Sequence, residues 1–368
     1  MTPAIKQTID SRLQRIANVL LLNASFIDNL GLLNGKMGIA IFFYQYARYT
    51  GNEVYERYAG ELIDEIYEEI SLATPIDFAN GLTGIGWGIE YLVHKGFVEA
   101  DTDEALREID NSVYQSFIWS PLSIQDQNSL FGFGFYCLAR LKDSTSNDDN
   151  LETLKKKQLL IYLMDECERL LTKETLFSEV QVPRFTLYQL NSLAWFVLQT
   201  HKLGLFPVKS DKLIQHLAAY VETKVESNYG YIDSVIFTYL IKELKGFINN
   251  PILAEKYNAI NTEISAKVSL YNESEEQVLN EYIKTGWNPV LFDLNLIIPM
   301  DLGEKAFSIA NNEENWNLLL DKLNKNNMGL DRGMAGLGMA LLNVAMSQYG
   351  NVTTTMNDHL MTEPNDYR

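Results

Sequence analysis

The chain has 368 residues, 46% of them hydrophobic, with 48 acidic against 30 basic residues and a net charge of −18. This charge repels phosphate backbones and argues against nucleic acid as a partner, and the lack of any apolar run near about 18 residues argues against a membrane span. We expect a cytoplasmic protein, because residues 1–15 carry charges of both signs and no apolar signal core. Cys137 and Cys167 lie in apolar helical patterns and predict buried free thiols.

A glycine-containing unit recurs along the chain, each time just before an apolar stretch. It stands at 34–40, 77–92, 129–134 and 333–342. Gly38, Gly84 and Gly132 are separated by 46 and 48 residues, and Gly336 follows 204 residues later, which leaves room for further units. Recurrence at a period of roughly 20 to 50 residues indicates a repeat architecture.

The predicted helices alternate between two kinds. After a first helix at 10–22, an apolar helix at 37–49 has no polar face and must be buried, whereas the helix at 54–71 is apolar on one side only. The alternation continues with 82–94 and 103–117, 131–141 and 154–171, 188–203 and 211–225, and then 231–244, followed by helices at 254–268 and 277–283, a weak sixth unit at 286–293 with 316–323, and a seventh buried helix at 337–345.

No alternating strand pattern occurs, and the loops between helices are short. We therefore predict an all-α protein, an α/α toroid (barrel) of about seven helical hairpins with inner and outer helix rings. Residues 1–350 would form one domain and 351–368 a loosely ordered tail. The glycines would let the inner helices crowd together at their N-terminal ends, where free N–H groups and helix dipoles would favour anionic or carbonyl groups.

Common site motifs fit poorly. The segment 84–88 has the glycines of a dinucleotide fingerprint, but no strand precedes it and a glycine is missing three residues after Gly86. The histidines cannot be grouped with the cysteines into a zinc set: His94, His201, His216 and His359. A cation site built from carboxylates stays open, as does an acid and base pair of Glu90 and Asp233.

Polar residues cluster at the junctions before two inner helices. Asp77 and Asn80 precede the second buried helix, and Asp331 and Arg332 precede the last one. Capping, with a local ion pair at the second junction, is the default interpretation of such residues. A site role is the alternative, because the central face of a toroid is its natural pocket.

These junctions resemble the lanthionine synthetase C-like (LanC-like) family, the cyclases that add cysteine thiols to dehydrated residues of a peptide. The stretch from Asp77 to Gly84 looks like the family's Asp-x-x-x-Gly-x-Ala-Gly junction. The resemblance places the family's proposed acid/base aspartate on Asp77. The stretch 330–336 looks like the family's Cys-His-Gly-x-Ala-Gly junction. The repeat pattern extends the resemblance over most of the chain.

The zinc ligands that the resemblance implies are replaced. The family's last-junction Cys and His fall on Asp331 and Arg332, and the Cys that follows a Trp falls on Asn288 after Trp287. A further family histidine falls on Asn128. Because zinc stabilises the attacking thiolate and an arginine repels a cation, we predict no metal or other cofactor and no zinc-dependent cyclase activity.

The sequence leaves open whether the protein is an enzyme. Our first hypothesis is a peptide-binding or accessory component of peptide modification, working beside a partner enzyme, with a peptide or small polar ligand in the central cavity. Asp77 would be its catalytic candidate, and the ligand-binding candidates are Asn80, Trp87, Asn128, Trp287, Asn288, Asp331 and Arg332.

The alternative hypothesis is a carbohydrate-active α/α-barrel enzyme. It would use two carboxylates among Asp77, Glu90 and Asp233, about 5 to 9 Å apart, with Trp87 and Trp287 as sugar platforms. A third possibility is a structural scaffold, which predicts a hollow filled by its own side chains.

Overall fold

The computed structural model describes residues 3–119, 127–142, 150–172, 185–224, 231–247, 274–285 and 311–347, together with residues 255, 262, 288, 302, 305, 306 and 308. These ranges contain fourteen α-helices, a short 3-10 helix and no β-strand. The prediction of an all-α protein is confirmed. Within the same ranges, no helix combines the length and apolarity needed to cross a bilayer.

The helices are numbered here in chain order. They are α1 (Pro3–Asn23), α2 (Lys36–Thr50), α3 (Glu53–Glu69), α4 (Leu82–His94), α5 (Thr102–Ala105), α6 (Arg107–Trp119), α7 (Gln127–Leu141), α8 (Leu151–Thr172), α9 (Leu187–Leu203), α10 (Pro207–Lys224), α11 (Tyr231–Lys245), α12 (Glu275–Lys284), α13 (Glu313–Asn326) and α14 (Met334–Ser347).

Seven helices form a closed inner ring, in the order α2, α4, α7, α9, α11, α12 and α14. Each packs on the next, and α14 packs back on α2. In α4 the residues from Leu82 to Glu90 are all buried, as expected for a helix surrounded on every side. This closure confirms the predicted toroid. The single domain over 1–350 stays a prediction, and 351–368 lies outside the described residues.

The outer helices cover this ring. Helices α1, α3, α6, α8, α10 and α13 each pack on an inner helix. In α3, Tyr55, Ala59, Leu62 and Ile66 are buried, while acidic residues occupy the opposite face. This one-sided pattern is the amphipathic spacing seen in the sequence. The thiols of Cys137 and Cys167 are free and buried, as predicted.

Two parts of the ring differ from the sequence prediction. The helix expected at 103–117 is interrupted at Leu106, where α5 ends and α6 begins. Asp101 starts α5 by accepting hydrogen bonds from the backbone N–H groups of Asp103 and Glu104. The predicted sixth unit at 286–293 lies outside the described residues except for Asn288, and α12 occupies the place between α11 and α14.

The loops before α2, α4 and α14 share one geometry. In each, the first helical N–H donates to a carbonyl seven residues earlier: Lys36 to Asn29 at 2.9 Å, Leu82 to Pro75 at 2.8 Å and Met334 to Asn327 at 3.1 Å. The following residue of each helix repeats this bond one position later. The expectation of free N–H groups facing the pocket is therefore wrong at these three helices, because their loops use the groups themselves.

Glycine is needed at two kinds of position, for two different steric reasons. A Cβ on Gly84 would lie 2.0 Å from the carbonyl oxygen of Phe78 in its own loop, and Gly336 shows the same spacing to its loop. Further along α14, a Cβ on Gly338 would lie 2.4 Å from the ring of Phe42 on the neighbouring helix. The predicted crowding between inner helices is thus found within the helices, whereas the junction glycines make room for the returning loop.

Helix α9 begins without glycine. Its N-cap is Thr186, whose side chain accepts from the backbone N–H of Gln189, and the Gln189 side chain returns a bond to the Thr186 N–H. This capping box satisfies the helix start with side chains. At this helix start, side chains take the role that loop carbonyls take at α2, α4 and α14.

The junction loops are also bonded to one another around the ring. The backbone N–H of Asp331 donates to the carbonyl of Leu33 at 2.8 Å, and the N–H of Leu33 donates to the carbonyl of Ala79 at 2.8 Å. Main-chain bonds therefore link the last, first and second inner units at one end of the toroid.

Candidate functional site

A cavity of about 490 Å³ opens at the junction end of the ring, and we call it the near cavity. It brings together five residues that the sequence singled out, which are Asp77, Asp233, Asn288, Asp331 and Arg332. The other polar side chains that line it are Thr186, Tyr188, Ser192 and Lys284. A scaffold with a filled hollow, the third sequence hypothesis, does not describe this end of the ring.

Asp77 fixes the loop before α4. Its Oδ1 accepts hydrogen bonds from the backbone N–H groups of Ala79 and Asn80, both at 2.9 Å. The N-cap of α4 is Gly81, which makes no side-chain cap. The default interpretation of Asp77 as a helix cap is therefore wrong in detail, because its carboxylate closes a turn inside the loop.

Asn80 lies outside the near-cavity lining. Its Oδ1 accepts from Nδ2 of Asn29 at 2.8 Å and from Nδ2 of Asn34 at 2.9 Å. The three amides join the loop before α2 to the loop before α4. The structure gives Asn80 this joining contact, and its predicted ligand role stays a prediction.

Arg332 has an unusual backbone. Among the described residues other than glycine, Arg332 alone has a positive φ, which is 52°. Its side chain is 69% exposed, and its Nε lies 3.8 Å from Oδ1 of Asp331. Such a left-handed conformation disfavours residues with a Cβ. The chain thus keeps a strained arginine at the rim of the near cavity.

The carboxylate of Asp331 has few nearby groups that compensate for its burial. Its Oδ1 is buried and accepts no hydrogen bond from the described residues. Burial raises the pKa of Asp331, and the nearby charges of Arg332 and Lys284 only partly offset this effect. An N–H or O–H donor of a ligand would find an unused acceptor here.

A second carboxylate pairs with a lysine on the opposite wall. Nζ of Lys284 lies 3.5 Å from Oδ2 of Asp233 and 2.6 Å from Oε1 of Glu281. Burial raises the pKa of Asp233 despite Lys284. Burial lowers the pKa of Lys284, but the two carboxylates outweigh it and raise the pKa overall. Lys284 was not predicted as a site residue, because it lies at the end of a helix without a recognised motif.

Tyr188 completes the polar cluster. Its side chain is partly buried and lines the near cavity together with Asp331 and Asp233. Burial and the charges of these two carboxylates raise the pKa of Tyr188. Tyr188 was not predicted as a site residue, because the sequence pattern of α9 marked it only as the start of a buried helix.

The remaining predicted residues are placed elsewhere or lie outside the described part. Asn288 is buried, lines the near cavity and donates its backbone N–H to the carbonyl of Lys284 at 3.2 Å. The side chain of Asn128 and the whole of Trp287 lie outside the described residues. Trp87 lines a different cavity from the other candidates.

An aromatic layer crosses the hollow of the ring. The ring centroids of Phe78 and Phe135 are 5.5 Å apart, those of Phe78 and Trp87 are 5.9 Å apart, and those of Phe135 and Trp195 are 4.7 Å apart. Phe135 lines the near cavity on one side and a second cavity of about 460 Å³ on the other. We call the second one the far cavity.

The carboxylates proposed for sugar chemistry are divided between these spaces. Asp77 and Asp233 line the near cavity, whereas Glu90 lines the far cavity. Glu90 forms a buried ion pair with Arg140 and lies 3.3 Å from Nδ1 of His94. Burial alone would raise the pKa of Glu90, but these partners hold it below its ordinary range. The suggested pair of Glu90 and Asp233 therefore does not face one space.

The residues at the implied zinc position do not fit that metal. Asp331, Arg332 and Asn288 offer no thiolate and no imidazole, and Arg332 and Lys284 bring two positive charges into the same cavity. Among the described residues, no group of three or more histidine, cysteine, aspartate or glutamate side chains could hold a metal ion. The chemistry of the donors, rather than the occupancy of the site, carries this conclusion.

The described helices form an all-α toroid, a closed double ring with a cavity at one end. Residues 27–182, somewhat less than half of the chain, match the family model of the Lanthionine synthetase C-like protein. This segment spans the first three inner helices, and over it the chain is similar to that family. No curated protein sequence matched the chain.

Proposed function

We propose that this LanC-like protein binds a peptide or a small polar ligand in the near cavity, as a binding or accessory component of peptide modification. Zinc-dependent cyclisation is not part of the proposal. The observation that carries it is the replacement of the zinc donors by Asp331, Arg332 and Asn288 around a cavity that is still open. A volume of about 490 Å³ lies within the usual range of ligand pockets.

The cavity offers both kinds of partner that a peptide backbone requires. The guanidinium of Arg332 presents a planar set of donors for a carbonyl or carboxylate. The Oδ1 atoms of Asp331 and Asp233 accept no hydrogen bond from the described residues and can accept hydrogen bonds from N–H groups. In this arrangement a peptide segment lies across the cavity, with its carbonyls toward Arg332 and its N–H groups toward the carboxylates.

Peptide binding can be tested by selection from a random peptide library on the immobilised protein. Peptides enriched on the wild type are then measured by fluorescence polarisation against Arg332→Ala. The matched control is Arg57→Ala, which removes an exposed arginine from outer helix α3. We expect the first variant to weaken binding about tenfold and the second to leave it unchanged, since one charge-assisted contact contributes about 1.5 kcal/mol.

Equal binding by wild type and Arg332→Ala would contradict the assigned role. The zinc part has its own measurement, a titration of the metal-free protein with Zn²⁺ against a chromogenic chelator. We expect the wild type to bind no stoichiometric zinc at this cavity, so that Asp331→Ala changes nothing in the titration. A tight, stoichiometric zinc site that depends on Asp331 would refute the metal-free reading and leave peptide binding to be judged separately.

A further inference from the structure

The far cavity lies at the opposite end of the inner ring from the near cavity. It is lined from α4, α7 and α9, and its wall on the ring axis is the aromatic layer. Trp87 and Tyr91 stack there with ring centroids 5.5 Å apart and an interplanar angle of 14°. Flat aromatic faces around an open space of about 460 Å³ favour a flat apolar ligand.

Three lysines surround this cavity, although the chain as a whole has a net charge of −18. Lys95 and Lys142 directly follow α4 and α7, and Lys202 is in the last turn of α9. Lys202 is paired with Glu243 at 3.4 Å. Within the described ranges, Lys95 and Lys142 have no acidic partner in ion-pair distance, so their charges are available at the cavity.

Each lysine lies near the C-terminal end of its helix, where a positive charge stabilises the helix dipole, and this effect alone would explain one lysine per helix. It does not explain why the inside of the far cavity has no carboxylate left without a counter-charge. The acid on this wall, Glu90, is already neutralised by the buried guanidinium of Arg140. An anion that enters the far cavity therefore meets cations at the mouth and no uncompensated carboxylate inside.

A further observation comes from Trp195. Its side chain lines the far cavity and is 2% exposed, and its Nε1–H has no acceptor among the described residues. Buried indole N–H groups usually have a partner, because an unmade hydrogen bond costs about 1 to 3 kcal/mol. The aromatic wall thus contains a donor that protein groups leave unused.

We propose that the far cavity is a second ligand site, which takes a small aromatic carboxylate. The aromatic part of the ligand packs on the layer formed by Trp87, Phe135 and Trp195, and its carboxylate lies toward Lys95 and Lys142. The proposal is independent of peptide binding in the near cavity.

The test uses 2-naphthoate as the probe and neutral 2-naphthamide as its matched control. Binding is followed by two-dimensional NMR of the tryptophan indole N–H groups, with the Trp195 signal assigned through Trp195→Phe. We expect 2-naphthoate to shift the Trp195 signal and to bind about tenfold more tightly than the amide, because the charged contact is absent from the amide. Increased salt should reduce this difference.

The double variant Lys95→Gln/Lys142→Gln should lower the affinity for 2-naphthoate to that for the amide. Lys95→Arg/Lys142→Arg, which keeps both charges, should retain most of it, and Lys212→Gln on outer helix α10 should have no effect. Equal affinities for the two probes, or an affinity that the double glutamine variant keeps, would overturn the proposal. Loss of 2-naphthoate binding in Arg332→Gln would also overturn it, since the probe would then occupy the near cavity.

Discussion

The ammonium group of Lys284, at the end of α12, lies 3.5 Å from the Asp233 carboxylate at the start of α11. This pair joins two neighbouring inner helices at the wall of the near cavity. Glu281 binds the same ammonium at 2.6 Å. Because the three groups are largely shielded from water, the pair contributes to both the closure of the ring and the charge of the cavity.

Lys284→Met should destabilise the fold by about 2 to 4 kcal/mol, because it leaves the buried Asp233 without its cation. The free energy of unfolding from urea titrations measures this loss. The exposed pair of Lys212 and Glu168 supplies the control, and Lys212→Met should cost less than about 1 kcal/mol. Adding Asp233→Asn to Lys284→Met should recover part of the stability, and a further loss would contradict the pairing.

Arg332 allows binding and stability to be separated with two substitutions. Arg332→Gly should raise the free energy of unfolding by about 1 kcal/mol, because glycine accepts the φ of 52° without strain. Arg332→Ala keeps the strain and should leave stability nearly unchanged. Both variants lose the guanidinium and should bind library-selected peptides equally weakly. A glycine variant no more stable than the alanine variant would show that the left-handed backbone costs nothing here.

Asp331→Asn should change the pH dependence of stability. Burial raises the pKa of Asp331 in the folded protein above its ordinary value of 3.8. Below pH 3.8 the carboxyl is protonated in both the folded and the unfolded protein. Between pH 3.8 and the raised folded pKa it ionises more readily in the unfolded protein, and ionisation therefore stabilises the unfolded state relative to the folded one. Wild-type stability attributable to this group is therefore lost as the pH rises.

The asparagine variant lacks this loss, so its melting temperature should equal that of the wild type near pH 3 and exceed it near pH 7. Asp28→Asn, at an exposed aspartate, serves as the control and should show no such divergence. A difference that shrinks with rising pH would mean that the folded protein favours the ionised carboxylate.

Two glycine substitutions distinguish crowded from open positions. Gly84→Ala should destabilise the protein by about 2 kcal/mol or more, since its Cβ would lie 2.0 Å from the Phe78 carbonyl oxygen. Gly60→Ala, in outer helix α3, would approach nothing closer than the Tyr44 hydroxyl at 3.8 Å and should stabilise by about 0.5 to 1 kcal/mol. Opposite signs in thermal melts are the expected result, and a tolerated Gly84→Ala would refute the folded-back loop.

Arg140, in the last turn of α7, is the centre of an ion cluster with carboxylates from α4, α5 and α6. Its guanidinium is 2% exposed and bonds Glu90, Asp103 and Asp110. Arg140→Met should cost about 3 to 5 kcal/mol, because it strands buried carboxylates. Arg169→Met, which removes an i,i+3 pair with Glu166 on α8, should cost under about 1 kcal/mol. Similar costs in urea titrations would show that the cluster is not structurally important.

The sequence predicted the rings because buried and amphipathic helices differ in their apolar periodicity. It also placed Asp77, Asn288, Asp331 and Arg332 at one end, since all four belong to loops before or beside inner helices. The sequence did not show which of the two cavities each side chain would line. Trp87 and Glu90 follow Asp77 closely in the chain, but both lie further along α4, where Trp87 belongs to the aromatic layer and both line the far cavity.

What the sequence missed depends on tertiary partners. Lys284, Glu281 and Tyr188 have no local motif, and only the packing of α12 between α11 and α14 brings the lysine to Asp233. For the same reason, the sequence did not show that loop carbonyls accept hydrogen bonds from the first N–H groups of α2, α4 and α14. Gly35, Gly81 and Gly333 signalled a tight turn, but the sequence does not show that each loop returns over its own helix.

The hydrogen bonds from Asp331 to Leu33 and from Leu33 to Ala79 involve only main-chain atoms. The side chains of Asp331 and Arg332 can consequently be exchanged without removing these two bonds. An aspartate, an arginine or a metal-binding residue at the same rim would leave the loop path unchanged. The architecture thereby separates what the protein recognises from what keeps it folded, and new specificities can be engineered at Asp331 and Arg332 without redesigning the ring.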